Sequence, residues 1–404
     1  MIISDLNQIT KFKTLFPTDS NGRDIIIYKI TNSCVVGKNI FYPNTLLYSS
    51  EKDKLFNPLN EKIMSLSSVK TDDEYDFTDE PKLNKIDNPM FFFIYNTENY
   101  FHFVYDTLPY LISYFELKKE IPNLKLLMNY PNKTKKTFYP FVIEFLNVIG
   151  ITNDDIVLVD KSTDYSELYL SSSYTHGIDS NLPPRKEVYE FYNKIKSLVP
   201  PNETLPKKIY ISRRTWLHNN MSNIGTNYTT RRKMTNEDRL VNYLLSIGFV
   251  EVFTENLSTI DKIQLFSSVD EVVGAIGGGL CNVLFSKKEC KLLTIVSPTF
   301  LNVNDRFKYS LNQVNNTLFF DTKHTERTKH KLFSRVKCGN VVGEIIGKTK
   351  DKLKIIYDES PVSGWNTNEK YNVKYVNKTD CELLDDGLNS QFKINFNKFK
   401  KIIK

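Results

Sequence analysis

His102 and Asp106 stand four residues apart in NYFHFVYDTLPYL, a segment whose apolar residues recur at helical spacing from Asn99 to Lys118. Residues four apart share one face of a helix, so the two side chains can meet. A carboxylate paired with a histidine can take the proton of an attacking hydroxyl group. We therefore predict a general base here, with Asp106 as first candidate and His102 as its orienter or the alternative base. In the other interpretation, His102 packs among aromatic rings and Asp106 binds backbone.

A second candidate site is the run EVVGAIGGGLCNVLF, residues 271–285, which holds four of the chain's 15 glycines. It follows a predicted strand and begins a predicted helix at Leu280. Because a helix start presents unpaired N–H groups and glycine lets a ligand approach the main chain, Gly277, Gly278 and Gly279 predict a diphosphate site. The alternative is that these glycines allow tight packing between strand and helix. Their spacing fits neither the dinucleotide-binding fingerprint nor the Walker pattern.

Paired arginines stand near the same site. Arg213 and Arg214 directly follow the predicted strand KKIYIS, and Arg231 and Arg232 precede a predicted helix that begins near Asn236. Guanidinium groups bind phosphate oxygens in a bidentate manner and can offset the charge of a leaving diphosphate. Arginines are also common on plain surfaces, and the TNED segment is equally typical of a helix cap.

These residues need a scaffold that brings loop ends together. Strands and helices alternate from about 91 to 172 and, more clearly, from 207 to 298, which predicts parallel sheets wrapped by helices. Such sheets bind ligands at the carboxyl ends of their strands. Proline-rich segments near 181–186 and 197–208 mark a domain border. The predicted domains are an α/β domain (1–195), a Rossmann-like domain (200–322) and a small β module of unknown role (338–404).

Composition narrows the class of protein. The net charge of +7 on 404 residues comes from dispersed basic residues, and no nucleic-acid-binding motif is present, so we expect no nucleic-acid partner. Five cysteines without CxxC spacing indicate neither a disulfide framework nor a zinc site and favour a reducing compartment. No secretion signal or membrane span is recognisable, so a cytoplasmic location, with or without peripheral membrane contact, is expected. No acidic or histidine cluster has metal-ligand spacing, so we expect no divalent metal or other cofactor.

The ordered series YISRR, RRKMTNE and LLSIGFVEVFTENLSTIDKIQLFSSVDEVVGAIGGGLCNVLF resembles the core of glycosyltransferase family 61. NYFHFVYDTLPYL is similar to the family's N-x-x-H-x-x-x-D-x-L-P segment. The resemblance implies a GT-B fold, in which two Rossmann-like domains face a cleft, and metal-independent, inverting transfer of a hexose or pentose. The donor is a nucleotide sugar and the acceptor is a hydroxyl of an oligosaccharide or other glycan, as in polysaccharide biosynthesis. The predicted donor-binding residues are Arg213, Arg214, Arg231, Arg232, Asn236, Glu237, Gly277, Gly278, Gly279, Leu280 and Asn282.

Three positions depart from the family pattern. Ile276 stands where the glycine loop usually has a histidine, Lys262 where glutamine is usual, and Thr294 where many members have glutamate. The alternative function is therefore a catalytically inactive relative that binds a nucleotide or a glycan.

Overall fold

The structure is a computed structural model that describes most of the chain. The described residues are 9–41, 46–49, 54–55, 84–130, 137–160, 163–175, 183–214, 232–298, 305–325, 330, 335–339, 341–357, 373–384 and 391–403. Contacts divide the chain into two compact units. The first comprises Met1–Thr97, His102–Tyr130 and Ile149–Phe191, and the second comprises Glu98–Phe101, Pro131–Val148 and Tyr192–Lys404. The predicted domain borders stay predictions, as does the GT-B arrangement.

The first unit is built on a mixed sheet. Its described strands are β1 (Ile9–Phe16), β2 (Ile25–Val36), β3 (Asn39–Phe41), β4 (Leu46–Ser49), β5 (Lys54–Leu55), β6 (Asn84–Ile86), β7 (Met90–Phe92), β8 (Lys125–Met128), β9 (Ile156–Leu158) and β10 (Thr163–Ser171). The order is β5-β4-β3-β2-β10-β7-β8-β9, with β1 beside β2 and β6 beside β10. Strands β10, β7, β8 and β9 run parallel, so their carboxyl ends lie at one edge.

The helix predicted over 99–118 is interrupted. It forms α1 (Tyr100–His102), a π-helical turn (Phe103–Thr107) and α2 (Tyr110–Lys118). Pro109 explains the interruption, because proline has no N–H to donate and its ring clashes with the carbonyl four residues earlier. In the π-helical turn the N–H of Leu108 donates instead to the carbonyl of Phe103 at 2.8 Å.

The second unit holds the predicted parallel sheet. Its strands are β11 (Lys208–Ile211), β12 (Val250–Val252), β13 (Glu271–Ala275), β14 (Lys291–Ile295) and β15 (Asn315–Phe319), all parallel to their neighbours. The order β12-β11-β13-β14-β15 changes direction between β11 and β13. Open α/β sheets bind ligands at such a switch point. The residues after β11 and β13 are those singled out in the sequence.

Helices and 3₁₀ segments join these strands. The chain supplies α3 (Pro140–Val148), α4 (Lys186–Ser197), α5 (Glu237–Ser246), α6 (Thr259–Ser268) and a helix at Asp305–Ser310. A 3₁₀ turn spans Thr254–Asn256, and a 3₁₀ helix spans Gly278–Phe285 directly after the glycine run. Ser258 begins α6 with a capping box, in which its side chain accepts the N–H of Asp261 and the Asp261 carboxylate accepts from Ser258.

The last part of the chain forms a small β sheet and also supplies residues to the core of the parallel sheet. Strands β17 (Arg335–Cys338), β18 (Val341–Lys348), β19 (Lys352–Tyr357), β20 (Val373–Asn377) and β21 (Cys381–Leu383) form the predicted small β sheet. Strand β22 (Phe392–Ile394) instead pairs with β16 (Thr322–His324), and a helix follows at Phe396–Ile402. Phe392, Ile394 and Phe399 are buried in the core of the parallel-sheet unit. The predicted 338–404 module thus contributes its final residues to another core.

Cys338 and Cys381 form a disulfide between the neighbouring strands β17 and β21, with Cα atoms 4.5 Å apart. The expectation that the five cysteines form no disulfide framework is therefore wrong for this pair. The two residues are 43 positions apart, and only the strand pairing places them opposite each other. Cys34, Cys281 and Cys290 are buried and take no part in this disulfide.

No helix within the described ranges combines the length and the apolar character needed to cross a bilayer.

The buried position of Phe399 predicts that the last helix stabilises the parallel-sheet unit. Phe399→Ala should cost about 3–5 kcal/mol of unfolding free energy, the usual cost of emptying a core phenylalanine site. Hydrogen exchange of the β13 and β14 amides in graded urea measures this change. The control is Phe320→Ala, because the Phe320 side chain is 61% exposed. Equal exchange in the two variants would exclude the final helix from this core.

Candidate functional site

His102 and Asp106 meet as predicted. His102 Nδ1 lies 2.7 Å from Asp106 Oδ2, within the first unit. The π-helical turn, which follows His102 and contains Asp106, keeps both side chains on one side of the chain. Such turns are rare and are found often at functional sites.

Thr175 is a third member of this cluster that sequence reasoning missed. Its hydroxyl donates to Asp106 Oδ1 at 3.1 Å, and the residue is fully buried. Thr175 follows β10 and Asp106 follows β7, and these strands are parallel neighbours. Residues after both carboxyl ends therefore meet at one edge of the sheet. The SSSYT segment after the predicted strand was the available signal, because it places a hydroxyl group at that edge.

Exposure separates the roles of the two candidate bases. The His102 side chain is 30% exposed and that of Asp106 is 12% exposed. One oxygen of Asp106 contacts His102 and the other accepts from Thr175. A carboxylate held in this way orients an imidazole and stabilises its protonated form. The arrangement favours His102 as the proton acceptor and Asp106 as its positioning partner, which was the alternative assignment.

Arg213 and the glycine turn meet at the switch point of the parallel sheet. Ile211, the last residue of β11, pairs with Gly274 of β13, so both chains leave the sheet at the same level. Nη1 of Arg213 donates to the carbonyl of Ile276 at 2.8 Å. Burial lowers the pKa of the Arg213 guanidinium, which nonetheless stays cationic at neutral pH because arginine titrates far above it.

The three glycines of the turn differ in how much space surrounds them. A Cβ at Gly277 would collide with Nη1 of Arg213, and one at Gly279 would lie 2.7 Å from Oγ1 of Thr254. A Cβ at Gly278 would have its nearest neighbour, Phe101, at 3.9 Å, which is an ordinary contact. Gly279 is thus constrained by packing against short side chains, as the alternative interpretation held, whereas a side chain at Gly277 would have to displace the flexible end of Arg213. Packing does not compete with anion binding, because the same turn also begins the 3₁₀ helix and presents its first N–H groups.

Arg214 points the opposite way from Arg213. Its Nε and Nη2 atoms bind the carboxylate of Glu251 on β12, and Nη1 binds Asp238 on α5 at 2.7 Å. These partners raise its pKa against the effect of burial. Arg214 therefore joins β11 to β12 and α5. A direct contact between Arg214 and a donor stays a prediction.

Two other predicted donor-binding residues, Glu237 and Asn236, hold the scaffold. Glu237 is buried beneath β11, where its Oε1 accepts from the Tyr210 hydroxyl at 2.7 Å and from the Arg213 backbone N–H at 3.0 Å. Burial raises its pKa. Asn236 exchanges two hydrogen bonds with the backbone of Ile394 in β22. Arg232 is half-buried and has a left-handed backbone with φ of 55°.

Leu280 and Asn282 lie inside the turn and not on its surface. Both are fully buried. Asn282 Oδ1 accepts from the Tyr100 hydroxyl at 2.6 Å, and its Nδ2 donates to the carbonyl of Gly279 at 2.9 Å. Asn282 thus holds the glycine turn from within. The Ile276 side chain, where the family pattern has histidine, is 1% exposed and adds no polar group. Arg231 lies outside the described residues.

Glu255 and Lys262 are two titratable residues behind the turn, each within the electrostatic influence of the other, that sequence reasoning did not assign to the site. Burial raises the pKa of Glu255 to about 7, although the positive charges of Lys262 and Arg213 oppose the rise. Burial lowers the pKa of Lys262 to about 8. The available signal was the departure at Lys262 itself, because a lysine stands there in place of the family's usual glutamine.

Among the described residues no three His, Cys, Asp or Glu side chains are grouped so that they could hold a metal ion. Metal independence stays a prediction.

Residues 100–293 match the family model described as Glycosyltransferase 61. The match includes the His102–Asp106 pair, the arginines after β11 and the glycine turn, and it confirms the resemblance seen in the sequence. No curated protein matches the chain.

The different surroundings of Gly278 and Gly279 predict different costs for adding a methyl group. Gly279→Ala should lower the unfolding free energy by about 1–3 kcal/mol, because Thr254 and Ile211 would have to move. Gly278→Ala, the matched control, should stay within about 1 kcal/mol of the wild type. Urea denaturation of both variants measures the difference. Similar losses would mean that the turn is packed differently.

Proposed function

We propose, from the premise that residues 100–293 belong to glycosyltransferase family 61, that this protein is an inverting glycosyltransferase. It transfers a hexose or pentose from a nucleotide sugar to a hydroxyl group of a glycan acceptor. The observation that carries the proposal is the family match, because both candidate sites fall inside it.

In the proposed reaction the acceptor oxygen attacks the anomeric carbon as the bond from that carbon to the diphosphate breaks. The acceptor proton passes to Nε2 of His102, whose Nδ1 faces Asp106. Asp106 holds the imidazole in the tautomer that can accept at Nε2 and stabilises the imidazolium that forms. One displacement inverts the anomeric configuration and needs only one base.

The diphosphate leaves with the bonding electron pair, and its charge must be offset. Arg213 supplies a guanidinium fixed on the glycine turn, and the turn supplies backbone N–H groups. Because Arg214 is bound to Glu251 and Asp238, we assign the phosphate contact to Arg213. These groups need no metal ion, so we propose that transfer is metal-independent.

His102→Ala should lower kcat by about 10²–10⁴-fold, the usual contribution of a general base. Donor affinity should not change. A panel of nucleotide sugars screened by thermal shift identifies the donor, and release of nucleoside diphosphate then measures turnover. Added imidazole should restore part of the rate of His102→Ala but not of Asp106→Asn. The control is His330→Ala, because the contact of His330 is with the carbonyl of Cys381 in the small β sheet.

Two outcomes would revise this assignment. If imidazole rescues nothing and Asp106→Asn loses as much rate as His102→Ala, Asp106 is the base. If the wild type binds a nucleotide but releases no product with any donor and acceptor, the chain is an inactive nucleotide-binding relative, an alternative consistent with the apolar Ile276.

The two arginines provide a paired test of the donor site. Arg213→Met should weaken nucleoside diphosphate binding roughly tenfold or more, because a charge-assisted hydrogen bond is lost. Arg214→Met should keep the wild-type affinity and lose stability, because it breaks the ion pairs with Glu251 and Asp238. Isothermal titration and urea denaturation measure the two effects. The reverse pattern would assign the phosphate to Arg214.

A further inference from the structure

Lys262 is a buried cation in the middle of α6. Its side chain is 1% exposed, and Nζ has no hydrogen-bond partner among the described residues. A charge removed from water without an acceptor destabilises the fold. The same position in the family pattern usually holds glutamine, which carries no charge. Because burial of this charge lowers the stability of the fold, we expect its contacts to serve a role that offsets the loss.

A continuous set of contacts joins Lys262 to the glycine turn, all within the second unit. Nζ of Lys262 lies 4.8 Å from the centroid of the Tyr100 ring, in a cation–π contact. The Tyr100 hydroxyl donates to Asn282, and Asn282 donates to the carbonyl of Gly279. Each residue thus restrains the next, and the last restraint acts on the turn that carries the proposed diphosphate site.

We propose that Lys262 is a positioning residue of the donor site: its ammonium group holds the Tyr100 ring, so that Tyr100 and Asn282 keep the glycine turn in the form that binds diphosphate. The inference rests on the proposed function. It adds a residue that touches neither donor nor acceptor.

Loss of the Lys262 proton should therefore weaken diphosphate binding. Glu144 of α3, Glu255 of the 3₁₀ turn and Asp261 of α6 face the ammonium group, as does the Cys281 thiol. The carboxylates among them oppose the effect of burial, which lowers the pKa of Lys262 to about 8. The cation–π contact is present below this pH and is lost as the pH rises through about 8. Glu255, whose own pKa is about 7, becomes fully ionised over the same pH range. Burial raises the pKa of the Cys281 thiol, so it stays neutral over this range.

Stability should respond in the opposite direction from binding. The folded state holds Lys262 with a lowered pKa, so its charge destabilises the fold below about pH 8, and this cost fades as the pH rises toward the ordinary value of 10.5. Lys262→Met keeps the length of the stem and removes the charge. The variant should melt at a higher temperature than the wild type at pH 7 and bind diphosphate less well. A purely structural role would lower both quantities.

The experiment measures binding of inorganic pyrophosphate, which tests the site without knowledge of the base or sugar. Isothermal titration at pH values from 6.5 to 9 compares the wild type with Lys262→Met, Tyr100→Phe and, as a control for loss of one positive charge, the exposed Lys291→Met. Dividing each variant's affinity by the wild-type value at the same pH cancels the ionisation of the probe. Lys262→Met should bind roughly tenfold more weakly at pH 7, a typical coupling between contacting groups, and the difference should shrink to about twofold at pH 9.

Tyr100→Phe separates positioning from a direct electrostatic effect. It keeps the ring and the Lys262 charge but removes the hydroxyl that holds Asn282. Its affinity should fall like that of Lys262→Met, without a step near pH 8. A retained step would overturn the proposal, because Lys262 would then act through its electric field alone. Equal affinity of wild type and Lys262→Met would overturn this inference and leave the proposed function standing. A wild type that binds no pyrophosphate would overturn the proposed donor site and this inference together.

Discussion

The space left by the absent side chain at Gly277 is occupied by the guanidinium of Arg213. This contact joins the first strand of the parallel sheet to the turn after the third, at the point where the strand order changes direction. Any larger residue at Gly277 would move the cation, and any shorter residue at Arg213 would leave the turn unsupported. The shape of the turn therefore fixes the position of the Arg213 charge, and the Arg213 side chain in turn supports the turn. Glu237 also fixes the position of Arg213, because its carboxylate accepts a hydrogen bond from the Arg213 backbone N–H.

Arg213 and Arg214 are consecutive residues at the switch point, and their side chains contact different neighbouring strands or turns. β11 has β13 on one side and β12 on the other, and consecutive residues after its end turn to opposite sides. Arg213 reaches the turn after β13, and Arg214 reaches Glu251 of β12. Arg213 thereby holds the glycine turn, and Arg214 holds β12 and α5. The buried Lys262 is electrostatically linked to Arg213, because burial raises the pKa of Glu255 and the positive charges of both residues oppose this rise.

Local spacing predicted what lies close along the chain. The four-residue interval between His102 and Asp106 was sufficient to predict their contact, and strand–helix alternation was sufficient to predict the parallel sheet. Contacts between distant segments were not predictable in this way. Thr175 reaches Asp106 only because β7 and β10 are neighbours, and Cys338 meets Cys381 only because β17 pairs with β21. The steric need for Gly279 depends on Thr254 from another connection. Pro109 was visible in the sequence, and its effect on the helix could have been derived from its missing N–H.

The antiparallel pairing of β16 with β22 gives the small β sheet the topology of an inserted domain. The chain leaves the core of the parallel sheet at Thr322–His324 and returns beside the same point at Phe392–Ile394, where Asn236 binds the returning backbone. Insertions whose two ends are adjacent leave the host core continuous. Evolution could therefore lengthen, replace or delete the disulfide-linked sheet without redesigning the glycine turn. It also follows that the host unit cannot complete its core on the ribosome until the whole insert has been translated.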